Sequence, residues 1–240
     1  MQRRPPLRPP SARLLDLACV ATACAAFAAS SVPEATSAGR REPCGTRGYA
    51  YAGFQSAHRG HGVRATLTAL AIPRVSNGHV AAWVGVGGVG LGPNGSDQWL
   101  QVGMNAFHGT GTNLFYEVAA GGGAPRYHEL ATGIALGTQH RVAVLELPAR
   151  PDHWRVWVDG KPVSPPILLA GSSGRFEPIA TAESWDGGTR ACNRFSYRFD
   201  RLAVASARGG GWRRFVPAHR FHDRGYRITR GTTSFVVAVG

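Results

Sequence analysis

The sequence predicts an all-β chain folded as an antiparallel sandwich or barrel. Three observations lead there. Short runs of two-residue alternation recur along the chain, clusters of Gly, Pro and Asn separate them, and hardly any segment carries the spacing of an amphipathic helix. Nine or more strands at such intervals bury their apolar faces by packing two sheets together or by closing into a barrel.

In chain order, the first run is YAYAGFQSA (49–57), closed by a Gly-containing stretch, and the second is VRATLTALAI (63–72), stopped at Pro73. HVAAWVGVG (79–87) follows the Asn77-Gly78 turn signal, and QWLQVGMN (98–105) follows a Gly-Pro-Asn-Gly stretch. NLFYEVA (113–119) ends in three glycines, and HRVAVLELP (140–148) ends at Pro148. HWRVWVDG (153–160) continues into Lys161-Pro162-Val163 as the clearest hairpin, with Asp-Gly at its turn. Period two puts Trp154, Val156 and Val158 on one face of that strand and Trp157 on the other. FEPIATAESW (176–185) and RFSYRFDRLAVA (194–205) complete the set. At 240 residues, one such sandwich can use the whole chain as one large domain.

The N-terminus is organised differently. Arg3, Arg4, Arg8 and Arg13 stand among prolines, and residues 14–31 are small and mostly apolar. That order is expected of a secretory signal peptide, cleaved after Ala28 or Ala38, with an uncleaved anchor as the alternative. The expected organisation is residues 1–38 as leader and spacer, 39–205 as the β-sandwich, and 206–240 as a basic β extension packed on it. Export suits the cysteines that remain, Cys44 and Cys192, which can form one disulfide. Closing a loop of about 150 residues, it is worth roughly 4–5 kcal/mol in the chain-entropy model.

The formal charge of +13 falls to +11 when residues 1–38 leave with four Arg and two acids. A basic surface attracts anionic polymers or nucleic acid. Lys161 is the only lysine among 27 basic residues, the arginines scatter along the strands, and no nucleic-acid-binding motif accompanies them. A mature protein that binds neither nucleic acid nor membrane is the expectation. The tail from Arg208 interleaves Arg with Trp212, Phe215, Phe221 and Tyr226, as a hairpin covering a sheet edge or a contact for an anionic polymer would.

Several site classes fall away on spacing. Gly85, Gly87 and Gly90 spell G-x-G-x-x-G, but Leu-Gly-Pro-Asn-Gly-Ser and another strand follow, so no helix N-terminus meets a pyrophosphate. These glycines suit a loop between two strands. His58 with His61, and His219 with His222 and Asp223, suggest a metal, but residues three apart on a strand face opposite ways. No metal or other cofactor is expected. No G-x-S-x-G elbow and no paired-acid E-x-D-x-E strand is present. Asn94-Gly95-Ser96 fits a glycosylation sequon.

The frame around the glycines is more informative. It reads Ala82-Trp83-Val84-Gly85-Val86-Gly87-Gly88, then Trp99-Leu100-Gln101-Val102-Gly103, then Phe115-Tyr116-Glu117, and later Thr181-Ala182-Glu183-Ser184-Trp185-Asp186-Gly187. Over about residues 48–205 this resembles the glutamic peptidases, the eqolisin family. Their strands read W-V-G-I-D-G, L-Q-x-G, W-Y-E-W and A-E-x-I-x-E on a two-sheet, concanavalin A-like jelly roll.

In that family a Gln and a Glu form the catalytic dyad in a concave cleft. The resemblance places Gln101 on the catalytic Gln and Trp83 and Glu117 on cleft residues, with Trp99, Tyr116 and Trp185 beside them as substrate contacts. The family's acid in W-V-G-I-D-G is Gly87 here. Matching Ala-Glu to Ala-Glu puts the catalytic Glu on Gly187; a four-residue slip makes Glu183 catalytic and keeps it on the same face. Alternation independently gives Trp99, Gln101 and Gly103 one face and buries Leu100, Val102 and Met104. The implied protein is a secreted monomer that binds an extended polypeptide or glycan in its cleft, weakly catalytic or non-catalytic, or alternatively an acid-active endopeptidase using Gln101 and Glu183.

Overall fold

The computed structural model describes residues 48–185 and 192–239. The leader, Cys44, Asp186 and Gly187 lie outside them. The first half forms β1 (Tyr49–Ser56), β2 (Gly62–Ala69), β3 (His79–Gly88), β4 (Gln98–Phe107), β5 (Thr112–Ala119), β6 (Arg126–Ile134), β7 (Gln139–Glu146) and β8 (His153–Val158). The second half forms β9 (Lys161–Pro162), β10 (Ile167–Leu168), β11 (Ile179–Trp185), β12 (Phe195–Ala207), β13 (Gly210–Arg214), β14 (Pro217–His222), β15 (Tyr226–Arg230) and β16 (Ser234–Val239). No α-helix occurs among the described residues.

The strands build two antiparallel sheets packed face to face, a jelly-roll sandwich. The seven-stranded sheet runs β14-β1-β11-β3-β4-β5-β6. The nine-stranded sheet runs β10-β8-β7-β2-β12-β16-β15, with β13 beside β12 and β9 beside β8. Alternation decides what goes between them. Val80, Ala82, Val84 and Val86 of β3 and Leu100, Val102 and Met104 of β4 are buried against Leu67, Val142, Val144, Trp154, Tyr197 and Phe199 of the other sheet. Fully burying side chains of this size contributes about 1.5–3 kcal/mol each.

Two loops settle questions raised by the sequence. The G-x-G-x-x-G string is the end of β3 and the turn into β4, where only a three-residue 3-10 turn, Pro93–Gly95, intervenes. Gly87 has φ +85°, and a Cβ there would strike the Gln98 carbonyl across the hairpin, so glycine is required by backbone geometry. At the Asp-Gly hairpin, Asp159 and Gly160 both have positive φ (51° and 81°), as a two-residue turn between twisted strands needs. Trp154 is fully buried and its Nε1 donates to Ser172 Oγ at 2.7 Å, whereas Trp157 turns the other way.

Candidate functional site

The site stands on the outer face of the seven-stranded sheet, the face turned from the core. Because neighbouring strands are in register, its side chains fall into cross-strand rows. The first row is Tyr49, Trp185, His79 and Phe107; the second is Tyr51, Glu183, Ala81 and Asn105. The third is Gly53, Thr181, Trp83, Gly103 and Phe115; the fourth is Gln55, Ile179, Gly85, Gln101, Glu117 and Tyr127. Gly87, Trp99 and Ala119 make the fifth.

Two carboxylates are held on this face, each by an indole. Trp83 Nε1 donates to Glu183 Oε2 at 2.9 Å, and Trp99 Nε1 donates to Glu117 Oε1 at 3.0 Å. His79 Nε2 lies 3.4 Å from Glu183 Oε1, and the Gln101 amide Nε2 makes a long contact of 3.5 Å to Glu117 Oε1. Glu183 and Gln101 are nearly buried, at 5% and 8% exposure, although neither faces the core. A buried carboxylate needs such donors.

Burial raises the pKa of Glu117 above its ordinary value; the Trp99 hydrogen bond opposes that shift and the charge of Glu183 adds to it. The Tyr51 hydroxyl is pushed far up, first by burial and then by the nearby Glu183, so it stays a neutral donor. Glu117 and Tyr51 therefore both sense the charge of Glu183.

An unbroken series of ring contacts crosses the same face from β1 to β6. Tyr51 stacks on Tyr49 (5.5 Å), Tyr49 meets His79 (6.1 Å), His79 meets Phe107 (5.7 Å), Phe107 meets Tyr127 (6.0 Å) and Tyr127 stacks on Phe115 (5.6 Å). Trp185 joins this belt through Tyr49, at 4.5 Å. Asn105 Nδ2 donates to the Tyr127 hydroxyl at 3.1 Å.

Of the residues singled out in the sequence, Trp83, Trp99, Gln101, Glu117, Glu183 and Trp185 share this face. Tyr116 does not. It pairs with Val102 and lies in the core at 5% exposure, because it neighbours Glu117 on a strand and must point the opposite way. Gln101 and Glu183 occupy different rows, two strands and four residues apart, which separates their backbones by about 10 Å across and 13 Å along the sheet. The carboxylate that Gln101 meets is Glu117. Sequence reading passed over His79, Tyr51, Asn105, Phe115 and Tyr127. Parity with Trp83, Gln101 and Glu117 marks His79, Asn105 and Phe115; only strand order brings Tyr51 and Tyr127 in.

No family model and no curated protein matches the sequence. Solved structures do. Scytalido-glutamic peptidase with a peptide-based transition-state analogue aligns over 81% of this chain and 98% of its own, at 13% identity and a TM-score of 0.56. SCP-B, a member of the eqolisin family of peptidases, in complex with the tripeptide Ala-Ile-His, aligns over the same shares at 14% identity and a TM-score of 0.50. At these identities the relationship is one of fold: this chain is built on the glutamic-peptidase sandwich.

Proposed function

We propose that the outer face of the seven-stranded sheet binds an extended polypeptide, as a divergent relative of the glutamic peptidases. The observation that carries the reading is the convergence of two indole-held carboxylates, an amide and a belt of aromatic rings on one sheet face away from the core. Aromatic rings offer sequence-tolerant contact area, and the Gln101 and Asn105 amides offer hydrogen bonds to a peptide backbone. The peptidases of the same fold carry peptide ligands in their solved complexes, which supports a polypeptide ahead of a glycan.

Hydrolysis in acid is a second reading, favoured by the raised pKa of Glu117 beside Gln101. An ionised carboxylate would take a proton from water as the water oxygen attacks the peptide carbonyl. The Gln101 amide would donate to the oxyanion, and the proton would pass to the departing amine. Glu117, the carboxylate that Gln101 meets, is the candidate base.

The test is fluorescence anisotropy with labelled, unfolded casein, run beside a hydrolysis assay over roughly pH 2 to 7. Binding that weakens about tenfold in Trp83→Ala or Trp99→Ala supports the binding reading. Acid-range cleavage lost in Gln101→Ala identifies the enzyme, and loss in Glu117→Gln but not in Glu183→Gln then identifies its base. A chain that neither binds nor cleaves casein, while binding a neutral oligosaccharide through the same tryptophans, would replace polypeptide by glycan.

Export, a monomeric state and the Cys44–Cys192 disulfide complete the proposal. The disulfide rests on these two being the cysteines left once a leader ending at Ala28 or Ala38 is removed. Intact mass before and after reduction checks it, and the N-terminal residue of the exported protein decides between cleavage after Ala28 and after Ala38.

A further inference from the structure

The nine-stranded sheet carries a second feature, on other residues. β12 slips register against β2 between Asp200 and Ala203, and Arg201 sits in the slip with φ 52°. An irregularity of this kind re-aims a side chain. Beside it lies a cavity of about 440 Å³ where β12, β13 and the β15–β16 turn meet Phe54 of β1 and Pro217 of β14, lined by Arg64, Arg201, Arg213, Arg214 and Arg230. No carboxylate lines it. Among the described residues the arginine–carboxylate pairs are Arg59 with Glu177 and Arg198 with Asp200, so none of these five guanidinium groups pairs with a carboxylate there.

Ring faces and a carbonyl hold three of the five. Arg64 lies over Trp212 at 4.5 Å, Arg230 over Phe54 at 5.1 Å, and Arg214 Nη2 donates to the Thr232 carbonyl at 2.8 Å. Thr232 and Ser234 add hydroxyl donors to the lining. Five like charges around one cavity repel each other, and a multiply charged anion removes that cost. The guanidinium fork also matches two oxygens of a phosphate or sulfate at once. We propose that this cavity binds a tetrahedral oxyanion, a phosphate or sulfate group, at a site separate from the polypeptide face.

Isothermal titration calorimetry tests it with inorganic phosphate, inorganic sulfate and phenyl phosphate, using chloride at matched ionic strength as control. The expected result at low salt is a Kd below about 1 mM for at least one of the three, weakening as salt rises. Arg213 and Arg230 are both exposed, so the double variant Arg213→Gln, Arg230→Gln keeps the fold and is expected to weaken binding at least tenfold. Arg64→Gln removes a different guanidinium and is expected to act in the same direction, while Gln101→Ala leaves affinity unchanged. Tighter binding of phenyl phosphate than of the free ions assigns the site to an ester group, and the reverse assigns it to the inorganic ion. Absence of binding by all three, or affinity untouched by both arginine variants, overturns the proposal.

Discussion

Glu117 concentrates the chemistry of the outer face at a single side chain. Burial raises its folded pKa above the unfolded value, so its contribution favours the fold at low pH and is lost as the pH rises through the folded value. Glu117→Gln removes that titration and keeps an oxygen for the Trp99 indole. Urea denaturation is therefore expected to give equal stabilities below about pH 4 and a more stable variant at pH 7. A variant less stable at pH 7 would mean that the bonds of the ionised carboxylate to Trp99 and Gln101 outweigh its burial. Residue identity alone could not reveal this. Gln101 and Glu117 were legible as candidates from their motifs, but their meeting depends on β4–β5 register, and Tyr116 shows how adjacent positions of one motif divide between core and face.

At the scale of the strand, Gly103 shapes the third row. A Cβ there would run into the Ala82 carbonyl oxygen and stand 2.7 Å from the Trp83 Cα. Gly103→Ala is expected to lose about 1–3 kcal/mol by overpacking and to shift the Trp83 indole off Glu183, readable as a drop in the denaturation midpoint with a changed indole N–H resonance. An unchanged midpoint would show that β3 and β4 separate freely at this row. Strands buried on one side were readable from alternation, as β3, β4 and β8 show. β6 was not, since it pairs only with β5 at the edge of its sheet and most of its residues are exposed, leaving no apolar period to read. The placement of β11 between β1 and β3 was equally hidden, because pairing across about a hundred residues leaves no local trace in sequence.

Over the whole molecule, charge and chemistry separate. The chain carries +13, yet the outer face of one sheet gathers two carboxylates among aromatic rings, while five arginines with no carboxylate partner among the described residues line a cavity between the sheets. The two groups stand on different residues, the carboxylates on β5 and β11 and the arginines on β2, β12, β13 and β15. Composition showed the excess charge but not where it collects, because arginines distant in sequence, such as Arg64 and Arg230, line one cavity only once β2, β12, β16 and β15 are side by side.

On the proposed function, the outer face of the seven-stranded sheet is the working surface. Nuclear magnetic resonance of the ¹⁵N-labelled protein titrated with unfolded casein peptides tests it most directly, because each indole N–H reports separately. The Trp83 and Trp99 signals, which mark Glu183 and Glu117, are expected to shift on binding while those of Trp154, Trp157 and Trp212 stay in place. Shifts confined to Trp157 or Trp212, with Trp83 and Trp99 unmoved at saturation, would contradict it and place the binding surface on the nine-stranded sheet.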